Sequence, residues 1–294
     1  MLAVGRSKTE PIVSQVKIVT DSSAYLSDPG LIAQLSIEVV PLIVRTAHQS
    51  YPERVNSLDD AFLRKLTNDP KGVSVDAPSL AQMRELYARL GQTTDRIVAI
   101  HGSSSLSDVA EVAKEAARGI VGRQRIVVLD TATTSAGLGL IVEAAARVAA
   151  EGSTLAEVVK VVHGMIPHMY ALVFSDSLEY LENWGRLGAA QTFLGTMLGL
   201  KPIATMEDGD LLPIEKVRNY ARAIDKLYDF IIEFSHIERL FLFQNGFETE
   251  AALLLERLEA AYPKREFPVI GYPPSVAVHV GPKALGVIVY EGMN

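Results

Sequence analysis

The 294-residue chain contains no cysteine. Disulfides, thiolate catalysis, zinc knuckles and iron–sulfur clusters are thereby excluded together, and a cytoplasmic setting is expected. Positive charge is also short: 28 Lys and Arg stand against 35 Asp and Glu, a net charge of -7. A binder of phosphate backbones needs a basic surface for counterion release, so no nucleic-acid partner is expected. Long apolar runs are missing as well. The most apolar stretch, AGLGLIVEAAARVAAEG, is broken by Glu143 and Arg147 and reads as an amphipathic helix, not a membrane span. The apolar start before Gly5 and Arg6 is too short for a signal-peptide core, and residues 1–16 are expected to form a flexible extension. There is no G-x-x-x-x-G-K-[ST] loop for ATP. His163 and His168 are five apart without the glutamate of a zinc-binding helix, so no metal is expected. GLGLIV (137–142) lacks the third glycine of a dinucleotide loop and reads as helix packing.

What is present is patterned. KIVTD (17–21), IEVVPLIVR (37–45), RIVAIHG (96–102) and RIVVLD (125–130) read as strands. Between them lie helical periods: 57–66 opening on Ser57 and Asp60, 78–91 with Leu80, Met83, Tyr87 and Leu90 on one face, then 107–118 and 135–151. Thr154 and Glu157 cap a further helix. Short strands separated by helices predict a parallel-sheet α/β domain over 17–165. From residue 166 the strands lengthen, at 171–176, 198–217 with EDGD (207–210) as a hairpin turn, 238–246 and 275–290. This predicts a second domain over 166–294.

Three hydroxyl-rich loops follow strands: TDSSA (20–24), HGSSSLS (101–107) and DTATTSAG (130–137). In an open α/β sheet such loops share the rim where ligands bind. A nucleophilic serine would need a base and, in the hydrolase elbow, a second glycine that Gly102-Ser103-Ser104-Ser105-Leu106 lacks. Simple helix capping is the plain alternative. Hydroxyls and loop amides can also clamp a carboxylate or phosphate with no base at all.

LEYLENWGRLGAAQTFLGTMLGLKPIATMEDGDLLPIEKVR (178–218) resembles the DegV family, whose pattern runs E-Y-L-x-x-G-G-R-I-G, a leucine-rich helix, K-P-I-L, an acidic glycine turn and E-K-V-R. KIVTDSSAYL (17–26), the serine loop, VLDTATTSAGLG (128–139) and HVGPKALGVIVY (279–290) resemble other segments of that family. Its members resemble the fatty-acid-binding subunit of bacterial fatty-acid kinase. The resemblance implies a two-domain fold, the second an α/β domain with a mixed sheet, holding a long-chain fatty acid in an apolar tunnel in the ligand cleft between the two, with the carboxylate at the domain junction.

Carried over residue by residue, it implies carboxylate contacts at Ser103, Ser104 and His279, and a phosphate or partner contact at Arg186. Ser22, Ser23 and Asp76 are further candidates. It implies no catalytic residue and no cofactor on this chain, since a separate kinase subunit would bring ATP and magnesium and form the acyl phosphate. Transient membrane contact stays open. The sequence departs from the family pattern at Val75, Asp76, Asp108, Trp184 and Lys283. A second reading therefore stands beside the first: a small-molecule enzyme or sensor in which Asp21, Asp76 or Asp108 acts on a non-lipid ligand. An apolar tunnel would favour the first and a short polar pocket the second.

Overall fold

The computed structural model describes residues 15–28, 30–120, 122, 124–177, 179–180 and 200–293. Its first sheet is parallel and four-stranded, in the order β2-β1-β6-β7, from β1 (Lys17–Asp21), β2 (Glu38–Val40), β6 (Arg96–His101) and β7 (Arg125–Asp130). Near-continuous burial along β1 and β6 fits a sheet covered on both faces. One face packs on α3 (Leu80–Leu90) and α4 (Val109–Arg118), through Met83, Tyr87, Val109 and Ala113. The other packs on α5 (Ser135–Ala150) and α6 (Leu155–Met165), through Leu138, Ile141, Val158 and Val162. Ser79 with Gln82 and Thr154 with Glu157 close reciprocal capping boxes on α3 and α6.

The second sheet has six strands in the order β10-β9-β8-β13-β11-β12: β8 (Met169–Ser175), β9 (Lys201–Glu207), β10 (Asp210–Val217), β11 (Arg239–Asn245), β12 (Val269–Ile270) and β13 (Ala284–Tyr290). It is antiparallel except where β11 meets β12. The period-2 alternation of a strand sorts its side chains between two cores. Leu172, Phe174, Leu242 and Val287 face α7 (Tyr220–Ile232) and α8 (Glu248–Ala261). Val173, Phe241, Phe243 and Ile288 face the other way, toward Ala136 of α5, Phe62 and Leu66 of α2 (Asp60–Asn68), and α9 (Pro274–Val280). That shared core joins the two halves. A small antiparallel sheet, β4-β3-β5, flanks it, from β3 (Ile43–Thr46), β4 (Gln49–Pro52) and β5 (Val73–Asp76); α1 (Gly30–Gln34) is a single short turn.

Three expectations need correction. The run 37–45 is not one strand: Pro41 lacks an N–H for a ladder, and the chain leaves the parallel sheet after Val40 to enter the small sheet at Ile43. Helix α2 is capped by Asp59, whose side chain accepts from the Phe62 amide at 2.9 Å, and not by Ser57. The stretch 275–290 is not all strand. Pro273 and Pro274 start a helix whose buried Val276, Ala277 and Val280 pack in the shared core, and Gly281, at φ 88°, ends it before β13. Among the described residues no helix is long and apolar enough to cross a membrane.

Candidate functional site

The connection from β1 leads to β2 on one side, and that from β6 leads to β7 on the other. The carboxyl ends of β1 and β6 thus flank a topological switch point, where loops splay apart and leave a crevice. Asp21 and His101 stand at those ends, both fully buried. One oxygen of Asp21 faces His101 Nδ1 and accepts the Gly102 amide, each at 3.0 Å. The other accepts the Ser23 amide at 3.0 Å and the Ser23 hydroxyl. Burial pushes the Asp21 carboxyl up, but the bond and charge of His101, with Ser23 and Gly102, outweigh it and hold the group below its ordinary value. With about four acceptor positions on a carboxylate, Asp21 is saturated. It ties β1, β6 and the TDSSA turn together. His101 is buried with Nδ1 facing Asp21, and the Ser103 hydroxyl gives its proton to Gly209 O and not to the imidazole, so the pair is not arranged as nucleophile and base.

The serine loop is held from three sides. The Ser103 amide donates to Thr133 O at 2.8 Å, and its hydroxyl donates to Gly209 O at 2.6 Å while accepting the Ser105 amide at 3.1 Å. The Ser104 amide donates to Asp130 at 3.1 Å, leaving an exposed side chain. Gly209 is the tip of the β9–β10 hairpin, at φ 86°, and a Cβ there would lie 2.6 Å from Ser103 Oγ. Only glycine lets the hairpin of one half meet the serine loop of the other so closely.

His279, on α9, reaches the same loop from the other half. Its Nε2 donates to Leu106 O at 3.0 Å. Burial pulls its pKa down to about 4, only partly offset by the Leu106 bond, so the ring is neutral near pH 7. His279 and Leu106 line one end of a narrow cavity of about 40 Å³ with Thr133, Thr134 and Ser135. Beyond that rim the walls are apolar: Val173 of β8, Met206 of β9, Leu211 of β10, Phe243 of β11 and Ile288 of β13. Ser135 opens α5 at φ 52°, a left-handed conformation uncommon for a residue with a Cβ; its amide donates to Ser23 O at 3.0 Å and its carbonyl accepts the Tyr25 amide at 2.9 Å.

The structure therefore brings His279 to the rim and Ser103 behind it, joined through the loop 103–106. Ser22 and Ser23 lie beneath it. Ser23 serves Asp21, and Ser22 donates to Glu53 at 2.6 Å while accepting the Leu42 amide at 2.9 Å. Asp76 stands apart: it is half-buried on β5 and ion-paired with Arg45. Asp108 is exposed at the start of α4, and Lys283 is exposed too. Arg186 and Trp184 lie outside the described residues. None of Asp21, Asp76 or Asp108 lines the cavity. Sequence reasoning did not single out Thr133, Thr134, Ser135 or Leu106, although the first three fall in a loop whose hydroxyls marked it. It also missed Glu53, for which a polar segment between a short strand and a helix gives no signal.

Residues 15–292 match the family described as "Uncharacterised protein, DegV family". The DegV domain-containing protein TTE1491 of Caldanaerobacter subterraneus subsp. tengcongensis is 32% identical over 288 residues, covering 95% of this chain and 100% of its own. The crystal structure of DegV from Bacillus subtilis, described as a fatty acid binding protein, is 28% identical with a TM-score of 0.81, covering 94% of this chain and 99% of that one. The Fatty Acid Kinase (Fak) B3 protein of Streptococcus pneumoniae, loaded with linoleic acid, shares the fold at 19% identity and a TM-score of 0.76, covering 95% and 100%. The chain carrying this switch-point crevice and apolar slot belongs to the DegV family.

Proposed function

We propose that this chain binds a long-chain fatty acid, with the acyl tail in the apolar slot between the two sheets and the head group at the rim of Leu106, Thr133, Thr134 and His279, and that it presents the carboxyl to a partner kinase. The observation that carries the reading is the slot itself. It is walled by aliphatic and aromatic side chains of five strands and closed at one end by hydroxyls and a neutral histidine. Burying about 14 methylenes at ~0.8 kcal/mol each supplies on the order of 11 kcal/mol before ordering and association costs. The slot as it stands has room for only about three waters, so a tail entering it requires the side chains that wall it to move apart. His279, uncharged and with its one N–H given to Leu106 O, donates nothing to a carboxylate; it shapes the rim by holding the serine loop in place.

Ser103 acts behind this rim, fixing the loop by its bond to Gly209. ATP and magnesium would come with the kinase subunit, and Arg186 would serve the phosphate or the partner surface. The fatty-acid-binding DegV of Bacillus subtilis and the linoleate-loaded Fak B3 protein support the lipid and the kinase halves of the reading respectively. Among the described residues no carboxylate lines the slot for the enzyme reading to use.

Ala171, on β8, lines the slot. Ala171→Phe fills it and is expected to weaken binding of a C16–C18 fatty acid, followed by calorimetric titration, by roughly tenfold or more. Undiminished affinity in a folded variant would place the tail elsewhere.

A further inference from the structure

Glu53 directly follows β4 and is 4% exposed, yet it belongs to neither the slot nor the Asp21 cluster. Each of its carboxyl oxygens holds a different part of the molecule. Oε2 accepts the Ser22 hydroxyl from the β1 loop at 2.6 Å, and Oε1 accepts the Ser275 amide from the first turn of α9 at 2.7 Å, across 222 residues of sequence. The Glu53 backbone is itself fixed, its amide donating to Leu42 O at 2.8 Å while the Leu42 amide donates to Ser22 Oγ at 2.9 Å. One turn further along, α9 carries His279, bonded to Leu106 of the serine loop. The helix has seven residues and is β-branched at three of them, so it has little intrinsic hold on its own position.

We propose that Glu53 is a positioning residue of the head-group site: its carboxyl latches α9 to the β1 loop and thereby holds His279 against the serine loop. The name head-group site rests on the lipid reading; the latch does not. Its surroundings set how it responds to protons. Asp21 of β1 lies close enough to oppose a negative charge on Glu53, while Tyr51 of β4 is occupied by Asp59 at 2.7 Å. Arg54, Asp59 and Asp60 line the open cleft beside it, Asp76 of β5 is turned to Arg45, and α9 offers no ionisable side chain before His279. Burial, with the Asp21 charge, raises the Glu53 carboxyl to about 7 against the pull of its Ser22 and Ser275 bonds. The neutral carboxyl keeps both contacts, with Oε1 still accepting and the acid proton pointing at Ser22 Oγ. Ionised, the group gains by reaching water, and the latch loosens as pH rises past neutrality.

Hydrogen exchange across Pro274–Val280 in the full-length chain and in Glu53→Gln, from pH 6 to 8, tests this without any ligand. Glutamine keeps an acceptor for the Ser275 amide but carries no charge at any pH. His279 titrates alike in both proteins, and its effect cancels in their ratio. The ratio of wild-type to variant exchange is expected to rise roughly tenfold over that range, because the opened form would hold an ordinary carboxyl. A constant ratio would overturn the latch. Glu53→Ala, which loses both bonds, is expected to raise exchange in α9 at every pH, and unchanged exchange in a folded alanine variant would overturn it equally. Neither result bears on whether a fatty acid binds, which lipid extraction decides separately.

Discussion

At the scale of single residues, two buried groups pull against each other between pH 4.5 and 6.5. Glu53 is raised from 4.5 to about 7, so its contribution to stability is full below 4.5 and is lost as pH rises through 7. His279 is lowered from 6.5 to about 4, so its contribution is full above 6.5 and is lost as pH falls through 4. Each is worth roughly 3 kcal/mol over its whole window, and where the windows overlap the slopes oppose. Asp21, held below its ordinary value of 3.8, keeps its contribution throughout this range and loses it only in stronger acid. Urea unfolding at pH 5, 6 and 7 is expected to show Glu53→Gln gaining stability with pH and His279→Gln losing it, with the parent protein flatter than either. Parallel slopes in all three proteins would mean that neither group is buried as described.

At the scale of elements, close approach decides more than propensity. Gly139 in α5 lies where a Cβ would fall 1.6 Å from the backbone oxygen of Tyr25. The helix can therefore lie directly on the chain that leaves β1, and its first residue can form the parallel bridge Ala24–Ser135. Gly139→Ala is expected to cost about 3 kcal/mol or more in unfolding free energy, since backbone and not a flexible side chain would have to move. A change below about 1 kcal/mol in chemical denaturation would show that α5 is free to shift. The sequence pointed to this helix and to its packing glycine because the apolar period and the incomplete G-x-G motif are local. It could not show that SVAVHV is helical. Alternation of valines favours a strand, and only burial against the shared core, with prolines before and Gly281 after, overrides it.

At the scale of the whole molecule, the architecture was legible where each element carried its own pattern: the runs 17–21, 96–102 and 125–130 for the parallel sheet, the EDGD turn for the β9–β10 hairpin, a capping box for α6. The rim was legible as three hydroxyl-rich loops, but not the division of labour within it. Which serine faces a ligand and which fastens a loop depends on partners far along the chain, 106 residues away for Ser103 and Gly209, 222 for Glu53 and Ser275. The same distance explains why Asp76, next to a motif position, turns out to pair with Arg45 on the outside. Both halves contribute to the slot and to the ties of Ser103 to Gly209, His279 to Leu106 and Glu53 to Ser275, so ligand capture and the closeness of the two halves are one property.

The most direct test of the central claim is mass spectrometry of small molecules released on denaturing the protein purified from a bacterial host. A long-chain fatty acid at close to one per chain is the result expected from an apolar slot closed by hydroxyls and a neutral histidine. A polar metabolite at that stoichiometry, or no lipid from a folded protein that also fails to take up added fatty acid, would contradict it.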